Sequence, residues 1–297
     1  MASPHTFDIS DTFGALLIGA LVTTTIYGIT TLQAYLYYIS FPKDGNATKL
    51  LVASIWGLDT LHVIFMCHAV HYYLIVGFVD HSVLVDGTWT LFMSLTVNIL
   101  LAFIVQLFFT HRIFLLCSPQ KRWWVTGMIG VCVVAHFSFG MNTVVNLFKK
   151  KAFVRLKEIS FSSAVPFGVF AILSDILIAV ALCVLLDSNR SSFEDTNSII
   201  NKLIIFAINR CILTSAVAIV ETIVFSVLPN SFYSFAIDFV IGKLYANSLL
   251  AVLNSRSRGE PRHDYGSTEM STRFNISSAV ANHQTSLFQV CSEWWRL

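Results

Sequence analysis

The chain has 297 residues, 55% of them hydrophobic and only 12% charged, with a mean hydropathy of +0.70. A water-soluble domain carries roughly 25% charged residues, so most of this surface faces an apolar medium, and the partner that composition implies is the lipid bilayer. A net charge of +2 excludes the strongly basic footprint of a nucleic-acid-binding protein.

The first apolar segment runs over Phe13–Ile39, longer than the roughly 20 residues a helix needs to span. Asp8 and Asp11 precede it and no Lys or Arg does, so it reads as a retained anchor rather than a cleaved signal. The turn Ser40-Phe-Pro-Lys-Asp-Gly-Asn46 ends it. Further segments follow at Leu50–Phe78, Trp89–Cys117, Trp123–Phe148, Ser163–Leu186, Leu203–Leu228 and Ser231–Leu253. Turn and charge signals separate them: Asp80-His-Ser with Asp86-Gly87, Ser118-Pro-Gln-Lys-Arg122, Lys149-Lys-Lys151, Asp187-Ser-Asn-Arg190 and Pro229-Asn230. The expected fold is an all-α, integral membrane bundle of seven transmembrane helices. It divides into a short extracellular N-terminus (1–12), the transmembrane domain (13–254) and a polar, disordered cytosolic tail (255–297) open to a cytosolic partner.

Direction follows from Lys and Arg in the short loops. With the N-terminus outside, the cytosolic side holds Lys43, Lys49, Arg112, Lys121, Arg122, Arg190 and Lys202, together with the five arginines of the tail. The opposite side holds Lys149, Lys150, Lys151, Arg155 and Lys157, all in one loop. This balance predicts N-out, C-in, with that basic loop dissenting. The sequons at Asn46, Asn189 and Asn275 would then face the cytosol and stay bare. The sequence does not distinguish plasma membrane from endomembrane.

Ionisable side chains at bilayer depth cost from about 2.5 kcal/mol upward, and several lie inside the segments. Counting from the helix ends places Asp59 and Arg210 toward the cytosolic side. His62, His136, Asp175, Lys243 and Asn98 fall near the midplane, and Glu221 and Asp238 toward the outer side. Asn247, one turn beyond Lys243, joins the set. The cheapest arrangement turns them inward, pairing Arg210 with Asp59 and Lys243 with Asp175 or Asp238, so that attraction offsets desolvation. Such pairs either fix helix registry or line a ligand or ion pocket. Asp59 and His62 share a helix face at i, i+3, which supports a local unit.

Sharper chemistries fit less well. A haem needs facing axial histidines; His62 and His136 match in depth, but neither His68 nor His71 has a partner for a second haem. Zinc needs three ligands about one point, and beyond Asp59, His62 and His136 no late helix offers a histidine. A retinal Schiff base at Lys243 lacks an acidic counter-ion on the third helix. No metal, cofactor or catalytic residue is assigned. The six cysteines form no C-x-x-C pair and read as small buried apolar side chains.

Two stretches are distinctive as wholes. One is Trp56-Gly-Leu-Asp59-Thr-Leu-His62-Val-Ile-Phe-Met-Cys-His68, and the other runs from Asp238-Phe-Val-Ile-Gly-Lys243-Leu-Tyr245-Ala-Asn247 to Asn254-Ser-Arg256. With Gln106-Leu-Phe-Phe-Thr-His-Arg112 and Asn209-Arg210-Cys-Ile-Leu-Thr214, they resemble a family of multi-pass membrane proteins of mushroom-forming (basidiomycete) fungi. Its members carry a domain of unknown function (the domain of unknown function 6534 type), and the resemblance spans residues 13–256. It implies a seven-helix membrane protein and no specific activity. The leading expectation is a non-enzymatic, receptor-like or sensory protein with a polar intramembrane pocket for a small-molecule ligand. A transporter or channel with a charged pathway comes second and a metal-dependent membrane enzyme third.

Overall fold

A computed structural model describes residues 9–77, 87–150, 163–188, 194–227 and 233–256. The basic loop from Lys151 to Lys157, the sequons at Asn189 and Asn275 and the tail from Ser257 onward lie outside these residues, as do the expectations placed on them.

Within them the chain is helical: α1 Ile9–Ser40, α2 Asn46–His71, α3 Trp89–Leu116, α4 Arg122–Lys150, α5 Val165–Ser188, α6 Glu194–Val227 and α7 Tyr233–Asn254. All seven contain a stretch long and apolar enough to cross a bilayer. This is a seven-helix membrane protein. Local sequence explains the punctuation. Thr88 caps α3, its Oγ1 accepting from the Leu91 N–H at 3.4 Å. The Ser118 carbonyl accepts from the N–H groups of Lys121 and Arg122 at 3.1 and 3.0 Å, turning the chain from α3 into α4. Pro166 occupies the first turn of α5, where its missing N–H has no partner to lose.

The observed boundaries depart from the hydropathy reading in two places. Helix α6 starts at Glu194, well before the apolar run at Leu203, because polar residues continue a helix beyond the hydrocarbon core. The second span is not α-helical throughout: it turns π-helical over Tyr72–Val76, where the Tyr73 hydroxyl accepts from the Thr88 N–H at 2.7 Å; Phe78 lies outside the described residues.

Consecutive helices pack side by side, and α7 returns to lie along α1, which closes the ring. Helices α3 and α7 are the innermost: 61% of each apolar window is buried, against 22–39% for the other five. The outward faces are apolar, with Ile18, Leu50, Ile64, Val131 and Val184 exposed, as a lipid-facing surface requires. Among the described cysteines only Cys132 is buried; Cys67 is exposed and Cys117, Cys183 and Cys211 are half-buried. The expectation of small buried side chains therefore holds for Cys132 alone, because several cysteines sit on helix faces turned toward lipid.

The two inner helices can touch because α7 carries a glycine where α3 carries a polar side chain. A Cβ at Gly242 would collide with Asn98 Oδ1. Gly168 plays the same part between α5 and α6, where a Cβ would run into Thr222 Oγ1.

Candidate functional site

The polar residues singled out from the sequence fall into three groups along the bundle rather than one pocket. The first joins α2 to α7. Lys243 Nζ forms an ion pair with Asp59 Oδ1 and also donates to the Asp59 carbonyl at 3.0 Å, with both side chains fully buried. The Tyr27 ring lies 5.4 Å from the ammonium, close enough for a cation–π contact. One turn on, Asn247 Nδ2 donates to Thr30 Oγ1 of α1 at 2.9 Å. His62 is fully buried nearby, its ring edge-on to Phe239 at 5.9 Å. Neither of its ring nitrogens has a hydrogen-bond partner, so it does not join Asp59 in the unit expected from their i, i+3 spacing.

The second group is a hub on the Asp175 carboxylate, drawing side chains from α3, α5, α6 and α7. Oδ1 accepts from Arg210 Nη2 at 2.8 Å and Gln106 Nε2 at 3.2 Å; Oδ2 accepts from Thr214 Oγ1 at 2.6 Å and the Tyr245 hydroxyl at 2.8 Å. Gln106 extends the network, donating to Ser174 Oγ at 2.9 Å and meeting His136 Nδ1 of α4 through Oε1 at 3.0 Å. The Arg210 guanidinium lies 4.5 Å from the Phe109 ring centroid and 5.2 Å from that of Tyr245. A carboxylate with four donors and a stacked guanidinium meets the conditions under which a buried ion pair holds its charge.

These two groups correct the expected pairing. Arg210 pairs with Asp175, not Asp59, and Lys243 pairs with Asp59, not Asp175 or Asp238. Helix adjacency decides it: α5 packs on α6 and α2 packs on α7.

The third group lies toward the α6–α7 connection. Asn98 Nδ2 donates to the carbonyl of Asp238 at 2.7 Å and to its Oδ2 at 3.0 Å. Asp238 and the half-buried Glu221 face a cavity of about 40 Å³, whose walls include Ile99, Thr143, Phe167 and Thr222. That is room for a few water-sized groups, each needing about 10–15 Å³. Among the described residues Glu221 makes no hydrogen bond and no ion pair, and its one charged neighbour is the Asp238 carboxylate. Among the described residues four of the five buried acidic and basic side chains are thus paired with an opposite charge; the fifth, Asp238, faces the half-buried Glu221 instead.

At the far end of α7 a fourth contact was not foreseen. Arg256 Nη2 donates to Asp44 Oδ2 of the α1–α2 turn at 2.6 Å, and the Tyr37 hydroxyl donates to the same oxygen at 2.8 Å. The guanidinium also lies 4.5 Å from the Phe41 ring centroid, and Asn254 Nδ2 donates to the Gln33 carbonyl at 2.9 Å. The Arg256 hydrogen bond holds the Asp44 carboxyl below its ordinary pKa. A carboxyl depressed on folding stabilises above its unfolded pKa of about 3.9, and that stabilisation is lost as pH falls through the folded value. Thermal midpoints of the purified protein should therefore fall below about pH 4, and Asp44→Asn should flatten that part of the profile while lowering the midpoint at neutral pH.

Among the described residues, no three His, Cys, Asp or Glu side chains come together as a metal site. His136 is committed to Gln106 and Asp59 to Lys243, so Asp59, His62 and His136 do not form the zinc set weighed from the sequence.

Comparison with known proteins adds one finding. Residues 171–258 match a family of unknown function (DUF6534). The match runs from Ala171 in α5 through α6 and α7, and so takes in Asp175, Arg210, Thr214, Lys243, Tyr245 and Arg256. The wider resemblance expected over residues 13–256 is matched in this last part. No curated protein and no solved structure matches the chain.

Gln106, Thr214 and Tyr245 stand in the distinctive sequence stretches but were not among the polar residues expected to meet inside the bundle. The signal was present: Gln106 is the one glutamine of α3, two turns on from Asn98, and Tyr245 sits two residues after Lys243 in the distinctive closing motif.

Proposed function

We propose that this chain is a receptor-like or sensory protein of the fungal kind its motifs resemble. On this reading the N-terminus lies outside, and a small ligand occupies the cavity beside Glu221 and Asp238. The observation that carries it is the contrast between this cavity and the rest of the interior. Asp59 and Asp175 each meet a cation and hydrogen-bond donors, whereas Glu221 and Asp238 flank open space with no cation beside them among the described residues. Two uncompensated carboxylates among apolar walls favour a small organic cation such as a primary amine. With the N-terminus outside, the cavity lies in the outer half of the bundle. Helix α7 then runs from it past Lys243 and Tyr245 to the Arg256–Asp44 contact at the cytosolic end, where the polar tail begins.

The test is thermal unfolding of detergent-purified protein with methylammonium and ethylammonium, set against methanol and ethanol as neutral controls. Ligands that bind the native state raise the midpoint with concentration. The amines should do so and the alcohols should not, and Glu221→Gln should abolish the shift. An amine effect that survives both Glu221→Gln and Asp238→Asn would sink the pocket. Uptake of the same amines by reconstituted vesicles, lost in these variants, would favour the transporter reading instead.

A further inference from the structure

We infer that the α3–α4 turn is a binding site for the headgroup of an anionic phospholipid, a surface separate from the cavity and independent of its ligand. Between Asp86 and Glu158 the chain contains no acidic residue, so the basic side chains of α3, the turn and α4 have no local counter-ion. Lys121 is exposed and Arg122 half-buried, and neither makes an ion pair among the described residues.

Arg122 is nonetheless held in place. Its guanidinium lies 5.3 Å from the Phe114 ring centroid, and the Trp123 ring packs edge-on against that same ring at 5.1 Å. Its Nε is buried without a partner, while its terminal nitrogens make no hydrogen bond among the described residues and present the fork that binds a phosphate through two hydrogen bonds.

Next to this fork stand Trp123 and Trp124, 73% and 84% exposed, the two most exposed large apolar side chains among the described residues. Indole rings partition to the headgroup level of a bilayer and carry an N–H donor there. A pre-oriented arginine, a free lysine and two indoles at the end of a span match the charge and amphipathic profile of an anionic phospholipid. With the N-terminus outside they lie in the cytosolic leaflet, where such lipids concentrate.

Native mass spectrometry of the full chain, released from micelles with equimolar phosphatidylserine and phosphatidylcholine, tests this. Wild type should retain phosphatidylserine over phosphatidylcholine by about thirtyfold, the effect expected of two basic side chains near an anionic surface. Lys121→Gln with Arg122→Gln should bring the ratio near one. Gln120→Glu, which supplies a counter-ion and removes no contact, should lower it without altering the unfolding midpoint. Arg112→Gln should leave the ratio unchanged, since Arg112 lines a separate inward cleft with Leu182 and Leu203. Equal retention of the two lipids by wild type would overturn the site, as would a preference that survives both the double variant and Gln120→Glu. Displacement of phosphatidylserine by millimolar inorganic phosphate would also overturn it, by showing a free-anion site instead.

Discussion

Replacing Lys243 by methionine should destabilise the bundle by about 3–5 kcal/mol, the range for removing one partner of a buried ion pair. Methionine matches the length of the lysine stem, so packing against α2 survives and the loss is electrostatic. Asp59 would be left fully buried in a bundle surrounded by lipid, where an isolated carboxylate is forced toward its neutral form. The diagnostic comparison is the double variant Asp59→Asn, Lys243→Met. Removing both charges removes the desolvation cost along with the attraction, so most of the lost stability should return. Unfolding in a denaturing detergent titration gives both numbers. Recovery in the double variant with amine binding intact would assign the pair to helix registry; recovery of folding with binding lost would tie it to the response. A double variant as unstable as the single one would contradict the ion-pair description altogether.

The seven spans were legible because bilayer thickness sets a length that apolar runs either meet or miss, and all seven meet it. Their inward-facing charges were legible for a related reason: Asp59, Asp175, Arg210 and Lys243 are too costly at that depth to face lipid. Their partners were not legible. Depth along a helix can be counted from a sequence, but the rotation of each helix and the identity of its neighbours cannot. Counted depth grouped Asp59 with Arg210 toward one side and Asp175 with Lys243 near the midplane, so depth alone favoured the crossed pairing. The packing of α5 on α6 and of α2 on α7 forbids it. The Arg256–Asp44 contact was hidden differently, since both residues sit at turns where a charge needs no explanation.

Helix α7 ties these groups together. From its cavity end it meets α3 through Asp238, α2 through Lys243, α5 through Tyr245, α1 through Asn247 and Asn254, and the α1–α2 turn is met just beyond it by Arg256. A shift of α7 at Asp238 therefore cannot be local. It must be shared with contacts to four helices, which is the physical requirement for a change in the cavity to reach the opposite end of the bundle.

The hub predicts an order of effects that a generic destabilisation would not give. Tyr245→Phe removes one of four hydrogen bonds to Asp175 and should cost about 1 kcal/mol. Arg210→Lys keeps the charge but loses the planar group stacked between Phe109 and Tyr245, and should cost more, on the order of 2 kcal/mol. Asp175→Asn should be the most severe, at about 3–5 kcal/mol. It leaves the Arg210 charge uncompensated and turns an amide N–H₂ toward donors that need an acceptor. Thr214 can still donate to the Arg210 carbonyl at 2.9 Å, so its contribution should be the least damaged. Unfolding midpoints of the three variants under one condition test the order. If Arg210→Lys proved as severe as Asp175→Asn, the stacked guanidinium rather than the carboxylate would be the centre of the hub, and α6 rather than α5 the helix that fixes its position.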